Sequence, residues 1–560
     1  MKHLIQLFRT TLFLKKNMKK ILLLLILICL TYYIQAQIVI NNHTVYYDSK
    51  TNTWLASIPE TMFGKDCQLT VTVQDGWNHL TIDNEFVDNQ YIFKNITAES
   101  TYQTSITDAD GNTITGVIQF TFLPVIHLLG EFENDYHQGT VTISIPEQET
   151  DIILNANIKW RGGSTNKRNK HKRNYKLKFY DDYQFFGLRN DNNWILDAGQ
   201  ADLFRLRNLI AMNIWNDMVS KPYYINQEPK TLSGVRGQVV EVFLNDEYRG
   251  IYNFSENMDR KQLKLKKYDK STGEIHGGLW KSKGYNYTLM WECPDEYDHK
   301  SETWYDFEMK YPDLEDLEET DWSTLWNAIN FVANSSDEEF SQEVANYFDI
   351  PVLIDYYVFL ETLAARDNVG KNVYWAVYDK AKDKKLTLAI WDLDGTTGAK
   401  WLGEKAGPEV EMDYSLKVLT NLMTVNFDHF YEKANKRYHE LRNNLLSTEN
   451  LIKRYTDYYK VLKTSGAAKR EENKWSGDTD VKKEEINFDK EIAYITDWVT
   501  RRMPYLDRDI FPESFSNITN ISKESFNNNK LYNLNGQVVN EKIPLRKGIY
   551  IRNGRKIIIK

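Results

Sequence analysis

Cysteine is scarce in this sequence, with only three residues among 560. Two of them, Cys67 and Cys293, lie beyond the N-terminal segment, so disulfide bonds cannot be the main support of the fold. Hydrophobic residues make up 42% of the chain and aromatic residues 13%, which is ample for buried cores. Because domains of roughly 100–200 residues are usual, we predict a globular protein of several domains.

The sequence also lacks an apolar run long enough to cross a membrane, which takes about 20 residues. The apolar stretch at residues 21–30 is shorter, follows two lysines and precedes a possible cleavage site after Ala36. That arrangement is typical of a signal peptide. Lipid attachment at Cys29 is an alternative, although the residues before it are bulkier than that signal requires. We predict a signal peptide region at residues 1–36 and no transmembrane span in the mature chain.

A strong excess of one charge is absent as well. The chain has 70 lysine and arginine residues against 78 aspartate and glutamate residues, a formal net charge of -8. Nucleic-acid-binding domains usually carry a basic excess or a basic face. The overall charge therefore predicts no nucleic acid partner and no attraction to an anionic membrane. Any anion site has to be local.

Residues 37–122 have the pattern of short strands. Stretches such as 69–73 and 117–122 alternate apolar and polar side chains, and Asp-Gly pairs at 75–76 and 110–111 fall between such stretches. A period of two with Asp-Gly turns indicates antiparallel β structure. We predict a small antiparallel β-sandwich of immunoglobulin-like type. A spacer is the simpler interpretation of its role, and ligand binding is the alternative.

A glycine loop follows the next predicted strand and contains Arg161-Gly162-Gly163-Ser164-Thr165. Residues 166–178 after it are strongly basic and end in a strand pattern, in which Lys176 and Lys178 project from one face. Such a loop lets backbone N–H groups approach phosphates closely, and a strand lysine adds a fixed positive charge. The sequence therefore suggests a nucleoside triphosphate site, with Lys178 as the phosphate contact and Lys176 as the second choice. A solvated basic loop is the alternative.

Two further patterns lie between this loop and the middle of the chain. Apolar residues at helical spacing after Asp202 predict a helix that Asp202 caps and that extends to Met218. Residues 238–244 and 250–254 flank Asn-Asp-Glu and predict a hairpin that leads to Glu256. We place Glu256 at a hinge beside the nucleotide.

The most informative segment begins at Asp349-Ile350-Pro351, a cap with proline in the first turn of a buried helix. This helix leads to Asp367 and Asn372, and a predicted hairpin then leads to Asp392 and Asp394. In phosphoryl transfer, one aspartate orients the acceptor hydroxyl, while an asparagine and a second aspartate hold divalent cations. A polar turn explains one such spacing. Several metal-binding groups around one hairpin favour a site, because unpaired carboxylates are costly to place together.

These motifs resemble those of the CotH family, and they occur in that family's order. The resemblance covers about residues 123–510. It is carried by Arg161-Gly-Gly-Ser-Thr165, Tyr175-Lys-Leu-Lys-Phe179, Leu206-Arg-Asn208, the segment from Asn245 to Tyr252 with Gly250-Ile-Tyr252, the segment from Asp367 to Asn372, and Trp391-Asp-Leu-Asp-Gly395.

The resemblance implies an α+β fold with an atypical, bilobal, protein-kinase-like domain that transfers phosphate from ATP to serine or threonine of a partner protein. It assigns catalysis to Asp367, Mg²⁺ or Mn²⁺ to Asn372 and Asp392 with Asp394 beside them, and the phosphate contact to Lys178. Residues 202–218 contain no glutamate. The lysine–glutamate pair of ordinary kinases therefore cannot be built from this helix in the usual way.

Two other functions remain open. The stretch 386–396 also resembles the first motif of haloacid-dehalogenase phosphatases, with Asp392 as the nucleophile and Asp394 as the acid. That fold requires a doubly wound parallel sheet, whereas residues 413–508 have the pattern of successive amphipathic helices. The non-enzyme alternative is a surface adhesion or scaffold protein with a vestigial nucleotide site.

The end of the chain has a different composition. Residues 511–529 are rich in Asn and Ser and predict a linker, and short strand patterns with an Asn-Gly turn occupy residues 530–560. This tail resembles the C-terminal sorting domains of type IX secretion in Bacteroidetes, and an ordinary terminal hairpin is the alternative. With the signal peptide, it predicts a secreted protein or one at the outer membrane or cell surface.

Overall fold

The structure is a computed structural model that describes residues 38–74, 76–163, 165–313, 317, 319–400, 403–478, 485–513, 531–533, 548–552 and 555–559. The predicted signal peptide, Ser164 and most of the predicted linker lie outside the described residues. The chain divides into two compact units. Unit 1 comprises Met1–Leu206, Arg236–Asn257 and Asp457–Asp489, and unit 2 comprises Arg207–Val235, Met258–Thr456 and Lys490–Lys560.

Unit 1 begins with a nine-stranded sheet in the order β6-β5-β8-β9-β3-β2-β1-β4-β7. Its strands are β1 (Ile38–Ile40), β2 (His43–Asp48), β3 (Thr53–Ser57), β4 (Cys67–Val73), β5 (Trp77–Ile82), β6 (Glu85–Phe86), β7 (Gln90–Phe93), β8 (Tyr102–Asp108) and β9 (Thr113–Thr121). Strands β3 and β9 pair in parallel, and the other pairs are antiparallel. The predicted strands are present, but the period-two pattern did not reveal the parallel pair.

A closed barrel completes the β structure of unit 1, in the order β10-β11-β12-β13-β14-β16-β15. Its strands are β10 (Val125–Leu129), β11 (His137–Ser144), β12 (Ile152–Arg161), β13 (Asn174–Gln184), β14 (Asn190–Asp197), β15 (Gly237–Leu244) and β16 (Glu247–Glu256). Alternate side chains of β13, among them Leu177 and Phe179, fill the barrel core. The predicted hairpin is confirmed as β15 and β16, with Asn245 in a left-handed turn conformation.

Unit 2 contains a five-stranded antiparallel sheet in the order β18-β19-β17-β20-β21. Its strands are β17 (Gly278–Ser282), β18 (Thr303–Trp304), β19 (Phe307–Tyr311), β20 (Val373–Val377) and β21 (Thr387–Ile390). Strands β20 and β21 form the hairpin that the sequence predicted. Near the C-terminus, β22 (Leu531–Asn533), β23 (Gly548–Arg552) and β24 (Arg555–Ile559) form a three-stranded antiparallel sheet.

The helices occur mostly in two runs, before β20 and after β21, and the fold is α+β. They are α1 (Arg207–Met218), α2 (Arg260–Leu263), α3 (Ser323–Asn334), α4 (Asp337–Tyr347), α5 (Ile350–Leu363), α6 (Lys417–Thr424), α7 (Phe430–Arg442), α8 (Thr448–Thr464), α9 (Ala467–Trp475) and α10 (Phe488–Tyr505). The successive helices predicted after residue 413 are confirmed. Among the described residues, no helix combines the length and the apolar character that crossing a membrane requires.

Helix α5 is the centre of unit 2. Every residue from Val352 to Leu363 is buried, including Asp355 and Glu361, so the helix is surrounded by protein on all sides. Pro351 occupies the first turn as predicted. The helix ends where Ala364 adopts a left-handed backbone conformation, and the chain then enters the loop that carries Asp367. A rigid, buried element thus positions this loop.

One predicted helix start is wrong, and one predicted cap makes no side-chain hydrogen bond to its helix. Helix α1 begins at Arg207 rather than at Asp202, because Arg205 has a positive φ of 64° and its guanidinium binds the carbonyl oxygens of Gly199, Gln200 and Asp202. Asp349 does not cap helix α5 with its side chain. Its Oδ2 instead accepts a hydrogen bond from the backbone N–H of Tyr223 at 2.9 Å.

Candidate functional site

The carboxylate of Asp367 is the centre of a small hydrogen-bonded group in unit 2. It lies in a short 3-10 helix, Arg366–Asn368, directly after α5. Lys371 Nζ lies 2.8 Å from its Oδ1 and 3.0 Å from its Oδ2, and Asn372 Nδ2 donates to Oδ2 at 3.0 Å. The hydroxyl of Tyr285 donates to Oδ1. The predicted catalytic aspartate is thus nearly buried and accepts hydrogen bonds from three side chains.

Tyr285 and Lys371 also contact each other. The Lys371 ammonium lies 5.0 Å from the centroid of the Tyr285 ring, within the range of a cation–π interaction. Burial raises the pKa of the Tyr285 hydroxyl above its ordinary value, and the adjacent Asp367 carboxylate raises it further. Tyr285 therefore remains protonated and acts as a hydrogen-bond donor at neutral pH. Sequence reasoning missed this residue, because it lies 82 positions before its partner.

The loop of Asp367 is joined to the loop of Asp392 by two hydrogen bonds. Asn368 donates its amide to the carbonyl oxygen of Trp391 at 2.7 Å, and the N–H of Trp391 donates to the carbonyl oxygen of Asn372 at 2.9 Å. Asn368 is fully buried, and its amide oxygen has no hydrogen-bond partner among the described residues. These bonds fix the two predicted parts of the site next to each other.

Both loops contain non-glycine residues with left-handed backbone conformations. Asn372 has a φ of 55° and Asp392 a φ of 63°. Asparagine and aspartate tolerate this region better than other residues with side chains, yet such conformations persist only where the surrounding structure imposes them. Gly370 has a φ of 77°, and a Cβ there would lie 2.9 Å from Leu289 Cδ2. The backbone is therefore held in specific, uncommon conformations at this site.

Helices α1 and α10 support the loop that follows Asp392. Asn208 Oδ1 accepts from the N–H of Leu393 at 3.0 Å. Arg207 binds the carbonyl oxygen of Thr397 at 3.4 Å and forms a buried salt bridge with Glu491 at 2.6 Å. These contacts explain the Arg207-Asn208 motif, whose side chains hold the loop rather than the reacting groups.

The predicted cation ligands supply only oxygen donors. Asp392 is exposed, Asp394 is half-buried, and Asn372 uses its amide nitrogen on Asp367, which leaves its amide oxygen for a cation. Carboxylate and amide oxygens suit Mg²⁺, which usually takes one or two carboxylates together with substrate phosphates. Across the part of the chain that the structure describes, no three His, Cys, Asp or Glu side chains form a metal-binding group. The donor set thus fits a cation that a bound phosphate helps to hold.

In unit 1 a side-chain hydrogen bond within the glycine loop stabilises its turn. Gly162 has a φ of 104°, and a Cβ there would lie 2.3 Å from Thr165 Oγ1. Thr165 donates its hydroxyl to the carbonyl oxygen of Arg161 at 2.8 Å. Apart from its two chain neighbours, no described residue places an atom within 4 Å of a Cβ built on Gly163, so there is open space beside it.

The predicted lysines of β13 lie on the outer face of the barrel. Lys176 is half-buried and Lys178 is exposed, since Tyr175, Leu177 and Phe179 take the inward positions. Glu256 is fully buried at the end of β16. Its carboxylate accepts from the backbone N–H groups of Arg189 and Arg236, each at 2.9 Å, and from the Arg236 guanidinium at 2.6 Å. In unit 1, Glu256 thus organises the end of its own strand.

A lysine–glutamate pair that the sequence did not predict lies in the same unit. Lys172 and Glu471 are both fully buried, with Nζ 3.1 Å from Oε1. Lys172 also donates to the carbonyl oxygens of Arg249 and Ile251, each at 3.0 Å. Burial lowers the pKa of Lys172 to about 7, and Glu471 acts in the opposite direction. The glutamate comes from α9, 299 residues later, so no local pattern indicates the pair.

A sequence model of the CotH kinase protein family matches residues 158–506, which is more than half of the chain. The chain belongs to the CotH kinase protein family. All the candidate site residues, from Arg161 to Asp394, lie within the matched range, which begins just before the glycine loop.

Other comparisons add little to this assignment. No curated protein matches the chain. A solved structure of Bacteroides ovatus mixed-linkage glucan utilization locus SGBP-B, in complex with a mixed-linkage heptasaccharide, is similar over 27% of this chain at 10% identity, with a TM-score of 0.10. The similarity spans 44% of the length of that protein. At these values it carries no argument about fold or function.

Proposed function

We propose that this protein is an atypical protein kinase that transfers phosphate from ATP to serine or threonine of a partner protein with Mg²⁺ or Mn²⁺. The observation that carries the proposal is the join between the two loops of unit 2. Asn368 and Trp391 tie the loop of Asp367 to the loop of Asp392. Membership of the CotH kinase protein family supports the same function.

The residues of unit 2 divide the chemistry between them. Asp367 accepts the hydrogen bond of the acceptor hydroxyl and takes up its proton as the oxygen attacks the γ-phosphorus, while the bond from this phosphorus to the β,γ-bridging oxygen breaks and ADP leaves. Asn372, Asp392 and Asp394 would hold the divalent cation, which neutralises charge on the transferred phosphoryl group when bound. Lys371 keeps the Asp367 carboxylate oriented through contacts at 2.8 and 3.0 Å.

The nucleotide contacts of unit 1 belong to the same proposal. Gly162 and Gly163 present backbone N–H groups to phosphate, and Arg161, Ser164 and Lys178 supply further donors. Lys176 is the second candidate for the phosphate contact. The role that we propose for Glu256 beside the nucleotide is indirect. Its carboxylate already binds Arg236, so it would act by holding the end of its strand in place.

Labelled ATP with Mg²⁺ or Mn²⁺ tests the proposal. Label should appear on serine or threonine of the protein or of an added acceptor, and both Asp367→Asn and Asp392→Asn should abolish it. Only Asp392→Asn should markedly weaken metal-dependent nucleotide binding, because Asp367 acts on the acceptor side. Asp383→Asn, in the turn at the other end of the same hairpin, is the matched control and should retain activity. Label that persists in Asp367→Asn would refute this role for Asp367.

A scaffold with a vestigial nucleotide site is the second candidate. It is favoured by the state of Asp367, whose two oxygens already accept hydrogen bonds from three side chains. In that case nucleotide and metal should leave the melting temperature of the wild-type protein unchanged. The phosphatase alternative is not favoured, because the strand leading to Asp392 lies in an antiparallel sheet rather than in the parallel sheet it requires.

We also propose that the protein acts outside the cytoplasm, as a secreted or cell-surface protein. The support is the signal-peptide pattern of residues 1–36 and the sorting-like tail of residues 530–560. Mass spectrometry of the natural protein should find a mature N-terminus near Gln37. Recovery of an intact N-terminus from the cytoplasm would contradict this proposal.

A further inference from the structure

The side chain of Tyr285 contacts the Asp367 carboxylate at the candidate site. Its hydroxyl donates to Asp367 Oδ1, the kind of contact that the proposed mechanism requires of an acceptor hydroxyl. Tyr285 is 44% exposed, whereas Asp367 is 5% exposed. The hydroxyl of an exposed tyrosine therefore occupies a hydrogen-bonding position on the nearly buried Asp367 carboxylate.

The other donors leave little room for an additional hydroxyl. Asn372 Nδ2 binds Oδ2, and Lys371 Nζ is within 3.0 Å of both oxygens. Asn372 is nearly buried and is also fixed through its backbone, which donates to the carbonyl oxygen of Ser282 at 3.1 Å. Tyr285 is the most exposed of the three donors, so it is the one that an acceptor displaces most easily.

The backbone around Tyr285 is held independently of its side chain. The N–H of Asn286 donates to Asp306 Oδ2 at 3.1 Å, and the N–H of Lys283 donates to the carbonyl oxygen of Asp306 at 2.8 Å. Thr288 closes the turn by donating its hydroxyl to the carbonyl oxygen of Gly284 at 2.6 Å. The phenol ring can thus rotate away from Asp367 about its own side-chain bonds while the turn stays in place.

We propose that Tyr285 is a gating residue on the acceptor side of the site: its hydroxyl holds the place of the acceptor hydroxyl on Asp367, and an acceptor enters by displacing it. This inference rests on the proposed kinase function. Water is the smallest competing acceptor, and the same contact excludes it. In the absence of a protein acceptor, Tyr285 therefore suppresses the wasteful hydrolysis of ATP.

The suppressed reaction is balanced without any further reactant. The water oxygen forms a bond to the γ-phosphorus, the bond from this phosphorus to the β,γ-bridging oxygen breaks, and ADP leaves. The water proton passes to Asp367 and then to solvent. Removal of the Tyr285 hydroxyl opens Oδ1 to water. A hydrogen bond to a charged group is worth a factor of about ten or more in occupancy, so we expect hydrolysis to rise several-fold to about tenfold.

The experiment compares phosphate release from ATP with Mg²⁺ or Mn²⁺, with no added protein acceptor, in wild-type protein and in Tyr285→Phe. The variant keeps the ring and its contact with Lys371. Tyr305→Phe is the matched control, because Tyr305 is 52% exposed in the same part of unit 2. We expect Tyr285→Phe to hydrolyse ATP faster with an unchanged KM for ATP, and Tyr305→Phe to behave as wild type. Adding Asp367→Asn to Tyr285→Phe should remove the gain.

The outcomes separate the gate from the kinase proposal. If wild-type protein consumes ATP and Tyr285→Phe does so at the same rate or more slowly, with an unchanged melting temperature, the gate is refuted and the kinase proposal stands. A slower rate would mean that Tyr285 orients Asp367 instead. If neither protein consumes ATP or transfers phosphate with either cation, the proposed function fails and the gate fails with it. Hydrolysis that appears only in Tyr285→Phe supports both.

Discussion

Two of the protein's lysine–carboxylate pairs use similar chemistry in different surroundings. In unit 1, Lys172 and Glu471 are 3.1 Å apart and both side chains are 0% exposed. In unit 2, Lys371 and Asp367 are 2.8 Å apart, with 25% and 7% of their side chains exposed. Each ammonium also lies over a tyrosine ring, Tyr252 at 4.5 Å or Tyr285 at 5.0 Å.

Access to solvent separates the roles of the two pairs. The buried pair cannot reach a substrate, and its donors and acceptors are used to join β16 and α9 within unit 1. In unit 2, the Lys371–Asp367 pair is partly accessible to solvent, and a ligand can displace its neighbour Tyr285. The chemistry of the side chains is therefore not enough to identify a site, because the burial of the pair decides whether it stabilises the fold or meets a ligand.

The largest expected effect is on the accessible pair. Asp367→Asn keeps the size of the side chain but removes its negative charge and its ability to take up a proton. We expect phosphoryl transfer to fall by about 100- to 10,000-fold, the usual contribution of a general base. The melting temperature should change little, because the amide oxygen can still accept from Lys371. A variant that loses stability and activity together would mean that the two pairs do not differ as described.

The buried pair should respond in the opposite way. Glu471→Gln removes the carboxylate that favours the charged form of Lys172, and it leaves the Arg205 guanidinium, which lies 2.6 Å from Glu471, without a compensating charge. Removal of one partner from a buried pair costs about 3–5 kcal/mol. Hydrogen–deuterium exchange should therefore report lost protection in the peptides of β16 and α9.

The matched control for Glu471→Gln is a surface pair of unit 1. Lys463 and Asp489 are 2.9 Å apart, with 41% and 59% of their side chains exposed. Exposed pairs contribute about 0–1 kcal/mol, so Asp489→Asn should leave exchange nearly unchanged. Equal effects of Glu471→Gln and Asp489→Asn would show that burial does not decide the strength of these pairs.

The two pairs also show which features a sequence can predict. Asp367, Lys371 and Asn372 lie within six positions of one another, and the helix before them and the hairpin after them have clear local patterns, so the loop was predictable. Glu471 reaches Lys172 across 299 positions, and Tyr285 reaches Asp367 across 82. Such contacts depend on tertiary packing, which leaves no periodic signal in the sequence.

Competing hydrogen bonds also explain the late start of helix α1 and the missing side-chain cap of helix α5. The sequence around Asp349 has the form of a helix cap, and the helix begins where predicted. The carboxylate nevertheless binds the N–H of Tyr223, 126 positions earlier, because tertiary packing brings that donor close. Helix α1 begins late because the Arg205 guanidinium binds the carbonyl oxygens of Gly199 and Gln200, which holds the chain before the helix in a non-helical turn. Local patterns predicted the elements, and hydrogen bonds to other partners, near or distant in sequence, changed how they begin.

Two lysines six positions apart extend the comparison to nucleotide binding. Lys172 is fully buried, whereas Lys178 is exposed on the outer face of the barrel. Lys178→Ala should weaken ATP binding by about 1.5–3 kcal/mol, the contribution of a charged hydrogen bond, without loss of stability. Calorimetry measures the affinity, and Lys94→Ala is the control, because Lys94 is an exposed lysine directly after β7. Unchanged affinity in both Lys178→Ala and Lys176→Ala would remove the role assigned to the glycine loop.

The smallest expected effect concerns a third carboxylate, which is buried but has no salt bridge to a lysine or arginine among the described residues. Asp349 is 5% exposed, and burial raises its pKa to about 6 from an ordinary value of 3.8. The folded protein thus binds this proton more tightly than the unfolded chain. The free energy of unfolding therefore falls as pH rises from about 4 to about 6, and the full cost remains at higher pH.

Asp349→Asn removes this titration and should be more stable than wild type above pH 6, with the difference disappearing towards pH 4. A shift of this size corresponds to roughly 3 kcal/mol, and we expect about 1–2 kcal/mol because a negative charge at the start of helix α5 is itself favourable. Urea denaturation between pH 4 and pH 8 measures it. Asp355→Asn on the same helix is the control of opposite sign, because Asp355 is fully buried and lies 2.7 Å from Arg437. If both variants lost stability at neutral pH, the lack of a salt bridge would not make the burial of Asp349 costlier than that of Asp355.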